Sequence, residues 1–163
     1  MSSSKKLLMI SGLGLALWGM AFGLYYAVFA EHQALDRIGS SLAMSFAEAA
    51  SGRMSESASS LNEYADAQYS YVRYVDVHSH WIGLAMLLLL FGLVNDRIAA
   101  TERGRLAVAI SLVLGSMIFP LGVLLQAISR GPLGKGVAAA GAALVTLGLV
   151  VTAFGFWRAK SRA

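Results

Sequence analysis

Four long stretches of this chain contain no Asp, Glu, Lys or Arg. They run from Leu7 to Ala30, Val77 to Val94, Leu106 to Ser129 and Gly136 to Trp157. A helix needs about 20 apolar residues to cross roughly 30 Å of hydrocarbon, so each stretch predicts one transmembrane helix. Short connections join the later spans, and short connections make neighbouring helices antiparallel. The pattern therefore predicts an all-α membrane protein with four transmembrane helices in an up-down bundle.

The segment between the first two spans, residues 31–76, is too long to be structureless, and its pattern is helical. Four apolar side chains share one side of a helix of roughly residues 33–50: Leu35, Ile38, Leu42 and Phe46. Ser51 and Gly52 are typical of the end of such a helix. This helix is expected either to lie on the membrane surface or to fold back over the bundle.

A second helix is expected to begin near Ser55 and to continue to about Asn95, because no proline interrupts it. Its part outside the membrane carries an apolar stripe, made of Met54, Ala58, Leu61, Ala65 and Val72. The opposing side carries Tyr64, Tyr71, Tyr74 and His78. We expect the apolar stripe to pack against the 33–50 helix, so that the two helices form an outer helical cap.

The fourth span has a glycine at every seventh residue, at Gly134, Gly141, Gly148 and Gly155. A stripe of small residues lets two helix backbones approach closely in a membrane, where the hydrophobic effect does not drive helix association. We therefore interpret this stripe as a packing surface. The sequence leaves open whether the facing helix belongs to the same chain or to another subunit.

The charges predict how the protein is oriented. Eight cationic side chains fall on the side of the two termini: Lys5, Lys6, Arg97, Arg103, Arg105, Arg158, Lys160 and Arg162. By the positive-inside rule, both termini are cytoplasmic and residues 31–76 lie outside a bacterial cytoplasmic (inner) membrane. The net charge of +4 is thus a topology signal, and we predict no nucleic-acid partner. The first span is longer than the core of a secretory signal, so we expect it to be retained as an anchor.

Composition and motifs exclude several kinds of chemistry. The spans have no ionisable residue near the bilayer midplane, which argues against a pump, a channel or an ion-coupled transporter. The chain has no cysteine, so it lacks disulfides, thiolate zinc sites, iron–sulfur clusters and covalent c-type haem. No catalytic motif is present. We therefore predict no catalytic residue and favour a protein that is not an enzyme.

Candidate ligand residues gather near the outer end of the second span. Asp76 and His80, at i and i+4, share one helix face, where the carboxylate can orient an imidazole that binds a metal. His78 points about 200° away from His80, so the two are separate candidates. His32, just past the first span, can complete a site. We predict His80, His78 and His32 as cofactor ligands, and His80, Asp76 and His32 as a metal site.

The second span opens with the sequence VHSHWIGLAM, at residues 77–86. With its four apolar spans, the chain resembles an uncharacterised family of small bacterial four-span proteins with an H-x-H-x-x-G-x-x-M-like start to span two. That span is distantly similar to the haem-ligand helix of haem–copper oxidase and nitric oxide reductase large subunits. The resemblance implies haem or metal at His78 or His80. The chain departs from the family in its long 31–76 segment and in having no histidine in spans three and four.

Two functions follow as hypotheses. In the first, the chain is an accessory or assembly subunit of a membrane complex, such as a respiratory one. Its partners are then the lipid bilayer and either other membrane protein subunits or a second copy of itself. In the second, it binds haem b or copper and works in electron transfer or metal handling at the outer face.

Overall fold

The computed structural model describes residues 2–160, and nearly all of them are helical. Five α-helices follow one another: α1 (Ser3–Tyr25), α2 (Glu31–Ala50), α3 (Met54–Val94), α4 (Glu102–Ile128) and α5 (Pro132–Lys160). A π-helical turn, Tyr26–Ala30, joins α1 to α2, and a 3-10 turn, Asn95–Arg97, follows α3. Within this range, four helical segments are long and apolar enough to cross a membrane. The prediction of an all-α, multi-pass membrane protein with a four-helix bundle is confirmed.

The first half of the chain forms one long antiparallel helical hairpin. At the end where the chain begins, the Lys5 ammonium pairs with the Asp96 carboxylate at 2.8 Å. Near the other end, the hydroxyl oxygens of Ser45 and Ser57 lie 3.3 Å apart. Gly52 closes the hairpin with a φ of +76°, a left-handed conformation that glycine adopts without strain. The two long helices therefore remain paired along their whole length.

We call residues 31–76 of this hairpin the arm. Helix α2 supplies one side of the arm with 20 residues, so the arm is about 30 Å long. The prediction that the 33–50 helix and a long second helix pack together is confirmed. The expectation that the first of them lies on the membrane or folds back over the bundle is wrong. The helix of the first span continues through the π turn into α2 and stays paired with α3.

The π turn decides which side of α2 faces α3. A π turn holds one residue more than an α-helical turn, and this residue rotates the following helix by about 100°. We call the facing residues of the arm the seam: Ala34, Ile38, Ser41, Ser45 and Glu48 in α2, and Ser57, Ser60, Tyr64, Ala67, Tyr71 and Tyr74 in α3. If the same residues formed an uninterrupted α-helix, Arg37 would take the place of Ile38 in the seam.

Helices α4 and α5 form a second antiparallel hairpin, and the glycine stripe lies in its interface. A Cβ atom added at Gly141 would collide with the backbone of Phe119, and one added at Gly148 would lie 2.7 Å from the Leu112 side chain. The interpretation of the stripe as a packing surface is confirmed. The facing helix is α4 of the same chain.

The two hairpins join through α4, which packs on α5 in its own hairpin and on α3 and α1 of the first hairpin. Buried apolar side chains fill this join, among them Leu8, Val77, Ala85, Leu88, Ala109 and Leu112. At the end of the bundle where the chain begins, Asn95 Nδ2 donates to Ser4 Oγ at 2.7 Å, and the Ser4 N–H donates to the Glu102 carboxylate at 2.9 Å. The network connects both ends of the first hairpin to the start of α4.

Candidate functional site

The side chain of His78, a residue of α3, packs against α1. Its Nδ1 atom is 2.9 Å from the carbonyl oxygen of Gly19. Because a carbonyl oxygen only accepts, Nδ1 carries the proton. The ring occupies the space that a side chain at residue 23 would need, since a Cβ atom added at Gly23 would collide with it. The imidazole therefore holds α3 against α1.

His80 lies on a different side of α3, against α4, where its ring centre is 4.6 Å from that of Phe119. The predicted hydrogen bond between Asp76 and His80 is not formed. Instead, Arg73 donates to Asp76 Oδ2 at 3.0 Å. A guanidinium forms a stronger, charge-assisted hydrogen bond with a carboxylate than a neutral imidazole does, which explains the choice of partner.

His32 is largely exposed, and its Nε2 lies 3.3 Å from Asp36. Glu31 lies beside Tyr71 across the arm, so His32 is separated from His80 by about nine residues of helix, or roughly 13 Å. Where side chains are described, from residue 2 to residue 158, no three His, Asp or Glu side chains form a group that could hold a metal. The described structure therefore does not bring His32, His78 and His80 together at one place.

Two clefts of the described structure lie elsewhere. An apolar cleft of about 480 Å³ lies between α1, α3 and α4 and includes Trp18, Trp81 and Met117 in its lining. A second cleft of about 330 Å³ lies beside the π turn and is lined in part by Tyr26 and Tyr74. Neither lining includes a histidine or Asp76. The clefts therefore do not bring the predicted ligand residues together.

An apolar surface that we expected to be internal lies on the outside of the arm. Its large side chains are 42% to 68% exposed: Leu35, Phe46, Met54, Leu61 and Val72. We call this surface the apolar flank, with Leu35, Gly39, Leu42, Phe46 and Ala49 on α2, and Met54, Ala58, Leu61, Ala65, Gln68 and Val72 on α3. None of its residues is ionisable. The expectation that the stripe of α3 packs against α2 is wrong.

The two stripes of the apolar flank lie on the same side of the arm. All its residues except Met54 directly follow a seam residue, as Leu42 follows Ser41 and Leu61 follows Ser60. Moving one residue along a helix rotates the side-chain direction by about 100°, so these residues point about 100° away from the seam. Because α2 and α3 are antiparallel, equal rotations turn both stripes toward the same side. The flank is therefore one continuous surface.

The seam itself is built from small and polar groups. Ser57 Oγ donates to the carbonyl oxygen of Ser45 at 2.9 Å, and Ser60 Oγ donates to the Glu48 carboxylate at 2.7 Å. These side chains fill the seam with hydrogen bonds rather than with apolar bulk. The large apolar residues next to them consequently remain outside.

The opposite side of the arm is charged and contacts the bundle. There, Arg37 pairs with Glu63 at 3.0 Å across the arm. Arg130, from the turn between α4 and α5, pairs with Asp66 at 2.6 Å and lies 4.5 Å over the Tyr69 ring. The second hairpin therefore supports the charged side, and the apolar flank faces away from it.

The sequence does contain a signal for the seam. Moving back along α3 from Trp81 and Val77 in steps of three or four residues reaches Tyr74, Tyr71 and Ala67, which belong to the seam. The stripe with the largest apolar side chains, which we predict from sequence to be buried, lies outside this spacing. Following the spacing of the membrane span outward would have identified the apolar flank as exposed.

No known protein family, curated protein or solved structure matches this chain.

Proposed function

We propose that this chain is an accessory or assembly subunit of a membrane complex, and that it works by binding another protein with the apolar flank of its arm. The exposed flank is the observation that carries this proposal. A continuous apolar surface bordered by polar residues is typical of a protein interaction site. Its large members, such as Phe46 at 68% and Leu61 at 50% exposure, are the kind of side chains that a partner would cover.

Charge distribution supports placing the arm outside a bacterial cytoplasmic membrane. The side of the chain termini holds most of the Lys and Arg residues, which favours a cytoplasmic location for that side. The arm extends from the opposite side. Its partner is therefore expected to be another membrane protein or a protein outside the membrane.

Haem or copper binding is the weaker hypothesis. The resemblance of the second span suggested it, but His78 holds α1, His80 faces α4 and His32 is exposed on the arm. A cofactor site made from these side chains would need residues from another chain.

A charge placed on the apolar flank tests the proposed function. Leu61→Glu puts a carboxylate where the partner would make apolar contact, and an unpaired charge in such an interface is strongly unfavourable. We expect the wild-type protein, extracted in mild detergent, to migrate on native gels in a complex larger than its own 17.2 kDa. In the Leu61→Glu variant, this complex should be lost while the helical circular dichroism spectrum stays unchanged.

Ser59→Glu is the matched control, because Ser59 is exposed two positions away and lies on the charged side of the arm. This variant should retain the complex. Equal migration of the wild type and Leu61→Glu would contradict the proposal.

A further inference from the structure

We infer that the partner of the apolar flank is a second copy of this chain, related to the first by a two-fold axis along the membrane normal. The inference rests on the proposed function and names the partner of the same surface. It is based on how the apolar flank of one chain would contact the same flank of a second chain.

A membrane restricts how two copies can meet. Both copies are inserted in the same direction, so equivalent residues lie at the same depth. A two-fold axis along the membrane normal makes an isologous contact, in which the same surface is used twice. It places α2 of one chain opposite α3 of the other, at equal height along the arms.

The heights of the residues follow from contacts within one arm. Ser45 lies beside Ser57, and Arg37 lies beside Glu63. By the same register, four pairs of flank residues lie at similar heights: Leu35 with Ala65, Gly39 with Leu61, Leu42 with Ala58, and Phe46 with Met54. In the two-fold contact, each of these pairs is formed between the two chains. Three of them place a large side chain opposite alanine or glycine, the alternation that lets facing layers interdigitate.

Charge favours the same contact. The apolar flank carries no ionisable group, so two identical flanks meet without like-charge repulsion. The charged residues of the arm lie on the other side, where Arg130 and Arg37 already have carboxylate partners. The contact therefore leaves these ion pairs in place.

Pairing of two arms also gives the arm a core that it lacks alone. A seam with buried Ser41, Ser45 and Ser60 provides little apolar burial for a two-helix hairpin that extends beyond its bundle. Two arms joined through their apolar flanks form a four-helix bundle, an arrangement that buries apolar side chains from all four helices. Half-buried Ile38 and Tyr64, at the edge of the seam, border the same new core.

Disulfide formation between two differently tagged chains tests this arrangement. The natural chain has no cysteine, so introduced cysteines are the only ones present. One tagged chain carries Leu42→Cys and the other carries Ala58→Cys, and both are expressed together. A disulfide requires Cα atoms within about 7 Å, so only a close contact is captured. We expect oxidation of native membranes to give a crosslinked species that carries both tags.

The control pair is Ala43→Cys with Ser59→Cys, two exposed positions outside the apolar flank, which should give no product above background. Equal crosslinking of both pairs would mean random collision and would overturn the inference. Absence of the Leu42–Ala58 product, together with loss of the native complex in Leu61→Glu, would also overturn it while the proposed function stands with a different protein as partner. Absence of both effects would remove the inference and the proposed function together.

Discussion

Several glycines matter because the absence of a side chain leaves space for a neighbouring side chain or helix backbone. A residue larger than glycine at position 23 would collide with the His78 ring, and one at position 141 would collide with the backbone of Phe119. Side-chain rings can shift, but a helix backbone moves only if the whole helix moves. Added volume at Gly141 should therefore cost more than added volume at Gly23.

The Gly141→Ala variant should lose about 1–3 kcal/mol of stability, the usual cost of forcing a methyl group into a packed interface. Unfolding of the purified protein in denaturing detergent measures this change. Gly136→Ala is the matched control in the same helix, because a Cβ atom at Gly136 meets nothing within 4 Å. Equal stability of the two variants would contradict the close packing of α5 on α4.

At the level of elements, the π turn is the feature that the sequence did not predict. The four spans and both helices of the arm follow from hydrophobic pattern, helix-breaking residues and length, and these predictions are confirmed. Residues Tyr26–Ala30 carry no proline or glycine that marks an inserted residue. The prediction therefore placed the right helices together but chose the wrong faces.

Deleting Ala27 should convert the π turn to an α-helical turn and leave the facing side of α2 unchanged, because the deletion removes the one extra residue that the turn holds. Cysteines at positions 45 and 57 report which side of α2 faces α3, because the hydroxyls of Ser45 and Ser57 are 3.3 Å apart. We expect Ser45→Cys with Ser57→Cys to form a disulfide in the full-length chain and to keep it when Ala27 is also deleted. Ala43→Cys with Ser57→Cys is the control and should stay reduced in the full-length chain. Loss of the disulfide after the deletion would contradict the assignment of one extra residue to the π turn.

The candidate site was predictable only in part, for a physical reason. Residues two or four apart on one helix can be placed on faces from sequence, so the separation of His78 from His80 was foreseen. The partner of each side chain depends on contacts that the pattern does not specify. Arg73 donates a hydrogen bond to the Asp76 carboxylate, and the Gly19 carbonyl oxygen accepts one from His78, because packing brings these groups within reach.

For the molecule as a whole, a four-helix membrane anchor supports an arm with two unlike sides. Arg130 connects the charged side to the second hairpin, so the arm is held at its base. Nothing in the described residues covers Phe46 or Met54 on the other side. Our central claim is that protein covers this apolar flank outside the membrane.

Cysteine labelling in intact cells tests that claim most directly. Ser59→Cys and Leu61→Cys are exposed positions two residues apart in the structure, so a lone chain would react at both. With a membrane-impermeant thiol reagent, we expect Ser59→Cys to react, because the arm lies outside, and Leu61→Cys to be protected by its partner. Protection at Leu61→Cys should disappear when the membranes are dissolved in strong detergent. Equal labelling of both positions in intact cells would contradict a covered flank, and no labelling at Ser59→Cys would contradict an arm outside the membrane.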